Sequence, residues 1–425
     1  MDTNPLFTLA LGLAEPWHVC ETRFNPDNGR LDLRLAYKDS AHFSCPCCAA
    51  RDCPVYDCLE REWRHLDFFQ HEAHLSARVP RIRCDVCGVK QVTVPWARPG
   101  SGFTLLMEAV ILEMVRHTPV RAVARMLRVR DKRLWRVAAH YVGQAINRLS
   151  LDDLRRIAMD ETSARKRHDY ISLFFDLDRR RLIYAAEGKD AQVLGHFSDF
   201  LKNHGGDPGK VKEVSCDMSP AFIKGVAECL PKASITFDRF HVMKIINDAV
   251  DEVRRTEWRK DKAVKGSRYL FLSNPEFLTP EQEATLKEVM SRNAALAEAY
   301  RLKETFRDLY QQPDWESGRG FLKAWIIAAL KSKIAPMMRA ASTIRRHWKG
   351  ILHWFVSRVS NGIMEGLNSL IQAAKRKARG YRNHSTFIIM AYLIAGKLDF
   401  STPVSYTHLR AHETPEHLVC RLLLE

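Results

Sequence analysis

The segment from Leu154 to Asp238 constrains the fold more than any other stretch of the chain. Ile157-Ala158-Met159-Asp160-Glu161 is a short apolar run that ends in two acids. Tyr170–Leu177 and Arg181–Glu187 are rich in β-branched and aromatic residues, and Asp178-Arg179-Arg180 between them reads as a hairpin turn. Val193, Leu194, Phe197 and Leu201 recur at helical spacing within Ala191–Asn203. After the break at Gly205–Gly209, a strand over Val211–Cys216 ends in Asp217. A helix over Pro220–Leu230 follows, and then a strand over Ser234–Phe237 that ends in Asp238. The pattern is βββαβαβ. It predicts an α/β core with acids at strand ends, where such sheets build their sites.

Asp160 and Asp217 each cap an apolar run. Two carboxylates on neighbouring strands repel unless a cation lies between them. Magnesium prefers such oxygen ligands, and a metal pair ~4 Å apart can clamp a phosphodiester for in-line attack. The plain alternative is that each is only a turn-forming residue.

Charge narrows the class of partner. Sixty-six Lys and Arg against fifty Asp and Glu give +16, with a pI near 9.4. Such a balance favours phosphate polymers. At 46% hydrophobic and 27% charged residues, the chain has material for packed cores, which excludes a disordered tail protein. The longest apolar stretches, such as Phe387–Ala395, fall short of the ~20 residues a membrane span needs. Met1–Ala14 has no basic start and no cleavage signal, so we read no leader and expect a cytoplasmic, nucleoid-associated protein.

Eight of the eleven cysteines lie between Cys20 and Cys87. Without an export signal they are expected as thiols. Two C-x-x-C pairs stand out, Cys45 with Cys48 and Cys84 with Cys87, and their spacing lets two thiolates point at one tetrahedral zinc. Cys47 competes with Cys48, and Cys53 and Cys58 are spare candidates. Gly88 follows the second pair where the backbone must bend. The stretches Trp63–Asp67 and His74–Val79 read as strands that could bring the pairs together. The expected zinc is structural.

Residues 104–148 read as helices. Val120, Val123, Ala124 and Leu127 form one apolar stripe, and Leu134, Val137, Ala138, Tyr141 and Val142 form a second after the turn Arg128–Asp131. Two helices and a tight turn suit a helix-turn-helix. Lys132, Arg133, Trp135 and Arg136 fall on the outward face of the second helix, where DNA contacts belong. Two further basic stretches, Lys331–Lys349 and Lys375–Arg382, lack acids, and Lys375, Arg376 and Arg379 could follow phosphates. A solvated basic face is the plain alternative for each.

These blocks occur in a recognisable order. The C-x-x-C pairs, the helix-turn-helix, Met159-Asp160-Glu161, Cys216-Asp217-Met218-Ser219-Pro220-Ala221-Phe222 and Phe237-Asp238-Arg239-Phe240-His241-Val242 resemble bacterial insertion-sequence transposases of the DDE type. The similarity is greatest to the ISL-three family. Ser360–Asn368 (Ser-Asn-Gly-Ile-Met-Glu-Gly-Leu-Asn) and Lys375–Asn383 match that family's last catalytic block. The resemblance covers roughly residues 20–400. It implies an RNase H-like mixed-sheet core, a divalent metal (Mg2+ or Mn2+) and strand transfer on double-stranded DNA at element terminal repeats and target. It also implies a homo-oligomer on DNA. Carried over, the metal-binding acids are Asp160, Asp217 and Glu365, with Glu161, Asp238 and His241 as lesser candidates.

The expected organisation is a multidomain α/β chain. A zinc-binding module spans 1–100 and a helix-turn-helix 101–150. The core occupies 151–240 and 354–400, split by a helical insertion over 241–353. A structure-specific nuclease on the same core and a non-enzymatic zinc/helix-turn-helix regulator are the rival functions. Residues 404–425 do not continue the preceding helix. They resemble translated sequencing-adaptor read-through and are expected to be non-native.

Overall fold

The computed structural model describes residues 3–165, 169–188, 190, 192–359 and 362–400; the 404–425 tail, and Ser360 and Asn361 of the late motif, lie outside the described residues. The chain divides into two compact units, one running to Gly143 and the other spanning Gln144–Leu398.

The first unit opens with α1 (Asn4–Ala10) and a five-stranded sheet of β1 (Trp17–Asn25), β2 (Arg30–Tyr37), β3 (Val55–Arg64), β4 (Glu72–Cys84) and β5 (Gly88–Gln91). The strand order is β1-β2-β4-β3, with β5 also paired to β4. Period-two alternation drives the packing. Leu31, Leu33 and Leu35 of β2 lie beside Ala73, Leu75 and Ala77 of β4, and all six are buried. Trp96 packs edge-on against Trp17 (4.9 Å) and Trp63 (5.5 Å) and closes the core. Of the strand expected over Trp63–Asp67, only Trp63 and Arg64 are extended in a ladder, as the end of a longer strand that starts at Val55; His65–Asp67 lie beyond it.

The helices follow without a break. The N–H of Arg64 donates to the Gly102 carbonyl (3.0 Å), and Thr104 N–H donates back to Arg64 (3.1 Å). Thr104 then caps α2 (Leu105–His117) through its side chain. Next come α3 (Val120–Met126) and α4 (Asp131–Asn147). Fully buried Glu108 of α2 accepts from Arg98 (2.9 Å), Ser101 (2.6 Å) and Tyr141 of α4 (2.9 Å). A buried carboxylate with three donors is satisfied. Losing one donor would cost several kcal/mol, because charge would be left uncompensated.

The second unit holds β6 (Arg156–Arg165), β7 (Asp169–Asp176), β8 (Arg181–Glu187), α5 (Gln192–Asn203), β9 (Glu213–Cys216), α6 (Pro220–Cys229) and β10 (Ser234–Phe237). The order is β10-β9-β6-β7-β8. β6, β9 and β10 are parallel to one another, and β7 is antiparallel to both its neighbours. Met159 and Phe174 pair across β6 and β7, and Phe174 stacks on Phe197 of α5 at 4.4 Å.

A helical region follows: α7 (Arg239–Lys260), α8 (Arg268–Leu272), α9 (Pro280–Arg292), α10 (Ala294–Arg307), α11 (Trp315–Lys331), α12 (Ala335–Leu352) and α13 (Trp354–Ser357). α12 comes close enough to β10 at Gly350 that a Cβ there would sit 2.5 Å from the Phe237 ring, so only glycine allows the approach. The chain returns with α14 (Gly362–Lys377) and α15 (His384–Ala395). Tyr392 of α15 donates to the Ile183 carbonyl of β8 (3.2 Å). Among the described residues, no helix is long and apolar enough to cross a membrane.

One sequence expectation needs correction. The run Ile157–Glu161 does not end at its acids; β6 continues to Arg165. β7 pairs along nearly the whole of β6, whereas short β9 pairs only with Arg156–Ala158. Asp160 is therefore a strand-end position on the β9 side alone.

Candidate active site and nucleic-acid interface

The parallel strands place three aspartates in one row. Ala158 of β6 pairs with Ser215 of β9, which pairs with Thr236 of β10. Asp160, Asp217 and Asp238 each lie two residues beyond that rung, so pleating puts them on the same face. Adjacent strands are ~4.8 Å apart, which sets the spacing of the row. Met159, Cys216 and Phe237, one residue earlier, point into the core on the other face. The same alternation turns Glu161 away from Asp160.

Backbone groups fix these carboxylates. Glu161 N–H donates to Asp160 Oδ1 (2.8 Å), and Ser219 N–H donates to Asp217 Oδ1 (2.9 Å). Asp238 is 3% exposed and caps α7; its Oδ1 accepts from Phe240 N–H (2.8 Å) and its Oδ2 meets His241 Nδ1 (2.9 Å). The Asp238 hydrogen bond, with the nearby charges of Asp238, Asp217 and Asp160, raises the His241 pKa. The row of carboxylates thus favours the charged form of His241 beside it.

α14 lies over the same face. Asn368 Nδ2 donates to Asp160 Oδ2 (2.6 Å), Gln372 to the Thr162 hydroxyl, and Lys375 to the Ser163 carbonyl. Glu365 is one turn before Asn368 and shares a cavity of about 710 Å³ with Asp238. The oxygens of Asp160, Asp217 and Glu365 do not all fall within 4.8 Å of one another. Among the described residues, the group of ligand atoms that does is Cys45, Cys48, Cys84 and Cys87.

Two of those four sulfurs, Cys84 and Cys87, sit at a hairpin tip, and Cys45 and Cys48 reach them from the loop between β2 and β3. Cys84 ends β4 and pairs with Gly88, whose φ of +72° makes the turn that carries Cys87. Cys48 Sγ is 3.5 Å from Cys84 Sγ. A tetrahedron with Zn–S bonds of ~2.3 Å has edges of ~3.8 Å, so the cluster has the right size for zinc. The N–H groups of Cys48 and Cys47 hold the Cys45 thiol down to about 6, and those of Cys87 and Val86 lower Cys84. In the metal-free cluster Cys87 moves the other way, to about 12, mainly through its contact with Cys48, and Cys48 is also raised, so the four sulfurs share protons that a bound metal would displace. Cys47 is outside this set, as are Cys53 and Cys58.

In the helical part, α3 and α4 flank a turn in which Arg128 has φ +53°. Lys132 and Arg136 are exposed. Arg133 is not. Its guanidinium donates to the Gly102 carbonyl (2.7 Å) and stacks 3.9 Å over the Phe103 ring, so the structure gives it a packing role instead of an outward one. Arg128 is likewise engaged, with Glu72 (2.7 Å) and Asp67. At the end of α14, Arg376 and Arg379 are exposed while Lys375 turns inward to β6.

Comparison with known families agrees with this layout. A family model described as a transposase matches residues 157–391, more than half of the chain. The chain belongs to the ISL3 family of transposases. A model for the helix-turn-helix domain of that family matches 92–142, and one for the zinc-finger of transposase IS204/IS1001/IS1096/IS1165 matches 41–87. The transposase for insertion sequence element IS1557 of Mycobacterium tuberculosis is 28% identical over 423 residues, covering 91% of this chain and 94% of the relative. The transposase for insertion sequence element IS1001 of Bordetella parapertussis is 27% identical over 396 residues, covering 89% and 95%. The protein is accordingly a DNA-cleaving and DNA-joining enzyme, and its helix-turn-helix marks it as a DNA binder.

Two expectations about this transposase follow from the geometry. Lys132→Ala with Arg136→Ala should weaken binding to element ends and flatten its salt dependence, by roughly one in log–log slope for each phosphate no longer neutralised. Arg133→Ala should instead lower the thermal midpoint, because it removes a hydrogen bond and a ring stack. An unchanged salt slope in the double variant would show that the α4 face is merely solvated.

Burial raises the Asp160 pKa to about 6. A raised folded pKa gives stability that is present below the unfolded value near 4 and lost as pH climbs through 6. At pH 7.5 the charged carboxylate is therefore a cost to the metal-free fold. Asp160→Asn removes that cost while keeping an oxygen for one of its two donors. We expect roughly 1–2 kcal/mol of added stability at pH 7.5 and little at pH 4, together with loss of cleavage. Denaturant midpoints at both pH values check this, and a lower midpoint at pH 7.5 would contradict it.

In the sequence, Asp238 and His241 stand only as lesser candidates. Their i, i+3 spacing at a strand-to-helix junction is the available signal, because an N-cap acid can hold a side chain one turn on.

Proposed function

We propose that this ISL3 transposase cuts and joins DNA with Asp160, Asp217 and Glu365 as the acids that hold a divalent metal, Mg2+ or Mn2+, on an RNase H-like core. The strand order β10-β9-β6-β7-β8 with β7 reversed supports that core. The observation that carries the site is the row of aspartates facing α14. Its donors are carboxylate oxygens, the ligand type a hard cation takes.

When bound, the metal supplies charge neutralisation and lowers the pKa of a water. The chain's own groups do the rest. Asn368 and the Glu161 N–H fix both oxygens of Asp160, and the Ser219 N–H fixes Asp217. Preset carboxylates need no reorganisation as charge develops on the phosphoryl group. Water oxygen attacks the phosphorus at the element end, and the bond to the 3′ oxygen breaks and leaves a 3′-hydroxyl. That hydroxyl then attacks a target phosphodiester and displaces the target's 3′ oxygen. One phosphodiester breaks for each that forms, so joining needs no external energy source.

Cys45, Cys48, Cys84 and Cys87 hold a structural zinc in this reading. Lys132 and Arg136 meet the terminal repeats, and Arg376 and Arg379 follow phosphates near the acids. Joining two ends to one target calls for a homo-oligomer. The test is a strand-transfer assay with uncut and with pre-cut element ends and a circular target in Mg2+. Covalent end-to-target product is expected. Cutting without joining would favour a nuclease on the same core.

A further inference from the structure

The cavity that begins at Asp238 and Glu365 is more than the mouth of the acid site. Its volume of about 710 Å³ is in the usual range for a small-ligand pocket, ~300–1,000 Å³. A duplex is too wide to enter it, and one nucleotide is not. Its wall is aromatic and cationic. Tyr310 and Trp354 meet edge-on at 5.2 Å, Arg358 lies 4.8 Å over the Trp354 ring, and Arg239 lies 5.4 Å over Tyr310. Phe240, at the start of α7, leaves 63% of its surface exposed beside them.

Two polar groups in this wall are unsatisfied. The Tyr310 hydroxyl has no hydrogen-bond partner among the described residues, although Tyr310 is only 9% exposed. The Asn247 carbonyl oxygen is in the same position. A buried hydroxyl without a partner costs ~1–3 kcal/mol, so such groups call for a ligand. Here one donor-acceptor and one acceptor sit among ring faces and guanidinium groups. A nucleobase offers a π-face with edge donors and acceptors, and its own phosphate suits arginine.

We propose that this cavity receives a nucleotide extruded from the DNA next to the scissile phosphate. Its base packs against Trp354 and Phe240, the Tyr310 hydroxyl and Asn247 meet its edge, and Arg239 and Arg358 take its phosphate. Extrusion would draw the strand over Asp238 and Glu365 and so fix the register of the cut. The inference rests on the acid site described above and names the nucleotide subsite beside it.

The test uses the full chain on duplexes of the terminal repeat with flanking DNA. A single 2-aminopurine is moved one position at a time across the cut, first in chelator and then with Mg2+. The expected result is a several-fold change in emission at one or two adjacent positions only. Trp354→Ala and the milder Trp354→Phe and Tyr310→Phe should alter that signal. A mismatch at the same position should speed cutting several-fold, because unpairing is already done. If complexes form and cut normally while emission stays flat at every position, the cavity does not take a base and the transposase reading stands. The same holds if emission is identical in all three variants. If Mg2+ supports no cutting of bound ends, the acid site fails and the subsite with it.

Discussion

Cys84→Ser is expected to cost this transposase its zinc, its sheet and its hold on element ends together. Full-length protein should carry about one zinc per chain, and the variant close to none. The four sulfurs lie within 4.8 Å of one another, and two of them, Cys45 and Cys84, are buried. The two knuckles come from distant stretches of chain. Cys45 and Cys48 sit in a loop, while Cys84 and Cys87 sit at the β4–β5 tip. Between them only a metal can cross-link thiolates that would otherwise repel. Structural zinc in small modules contributes ~10–16 kcal/mol of apparent binding free energy at neutral pH, which exceeds the stability of most domains. Loss of one ligand should therefore loosen β3, β4 and β5 and expose Trp63 and Trp96, an event that tryptophan emission reports. Cys47→Ser and Cys53→Ser, outside the cluster, should keep the metal. An unsubstituted folded chain without zinc would show that the cluster is only a set of reduced thiols, and a Cys84→Ser chain that retains zinc and binds ends normally would remove Cys84 as a ligand.

The central sheet was legible because period and punctuation agree there. The expected strands over Tyr170–Leu177, Arg181–Glu187 and Ser234–Phe237 each lie within a residue of those observed, bounded by turn residues at Asp178-Arg179-Arg180 and by Asp238. The end of β6 was not legible. Thr162, Ser163 and Arg165 break the apolar run, and only pairing with β7 keeps them extended. Long-range contacts are what distinguish the two neighbouring acids. Asp160 and Glu161 are neighbours in sequence, and local pattern cannot rank them; α14, more than 200 residues later, does so by placing Asn368 on Asp160.

Arg133 shows the opposite limit. Helical spacing points it outward with Lys132 and Arg136, yet the loop at Gly102–Phe103 folds over it. A loop that packs against a helix leaves no periodic signal. The same is true of the cavity wall, where Tyr310, Trp354 and Arg239 come from three separate elements and meet only through helix packing.

Glu365→Gln should lower end cleavage on the order of 10³-fold while end binding and folding stay as they were. The side chain is exposed, so the amide meets no packing obstacle. Helix geometry is the argument for proposing it as the third acid. Asn368 touches Asp160 directly, and Glu365 lies three residues earlier on α14, about 4.5 Å along the axis and on the same face. Gln372 and Lys375, one and two turns further on, also rest on β6, so the helix is pinned along its length and Glu365 is held by a rigid support. A carboxylate at that point can close on a cation held by Asp160 and Asp217. An amide oxygen of the same shape brings no charge, and several kcal/mol of lost transition-state stabilisation corresponds to the expected factor. Glu161→Gln is the control, because pleating turns that residue to the opposite face; its rate should stay near normal. Normal cutting by Glu365→Gln, or equal loss in both variants, would remove Glu365 from the metal site and leave the two aspartates in need of another partner, for which Asp238 stands next in the row.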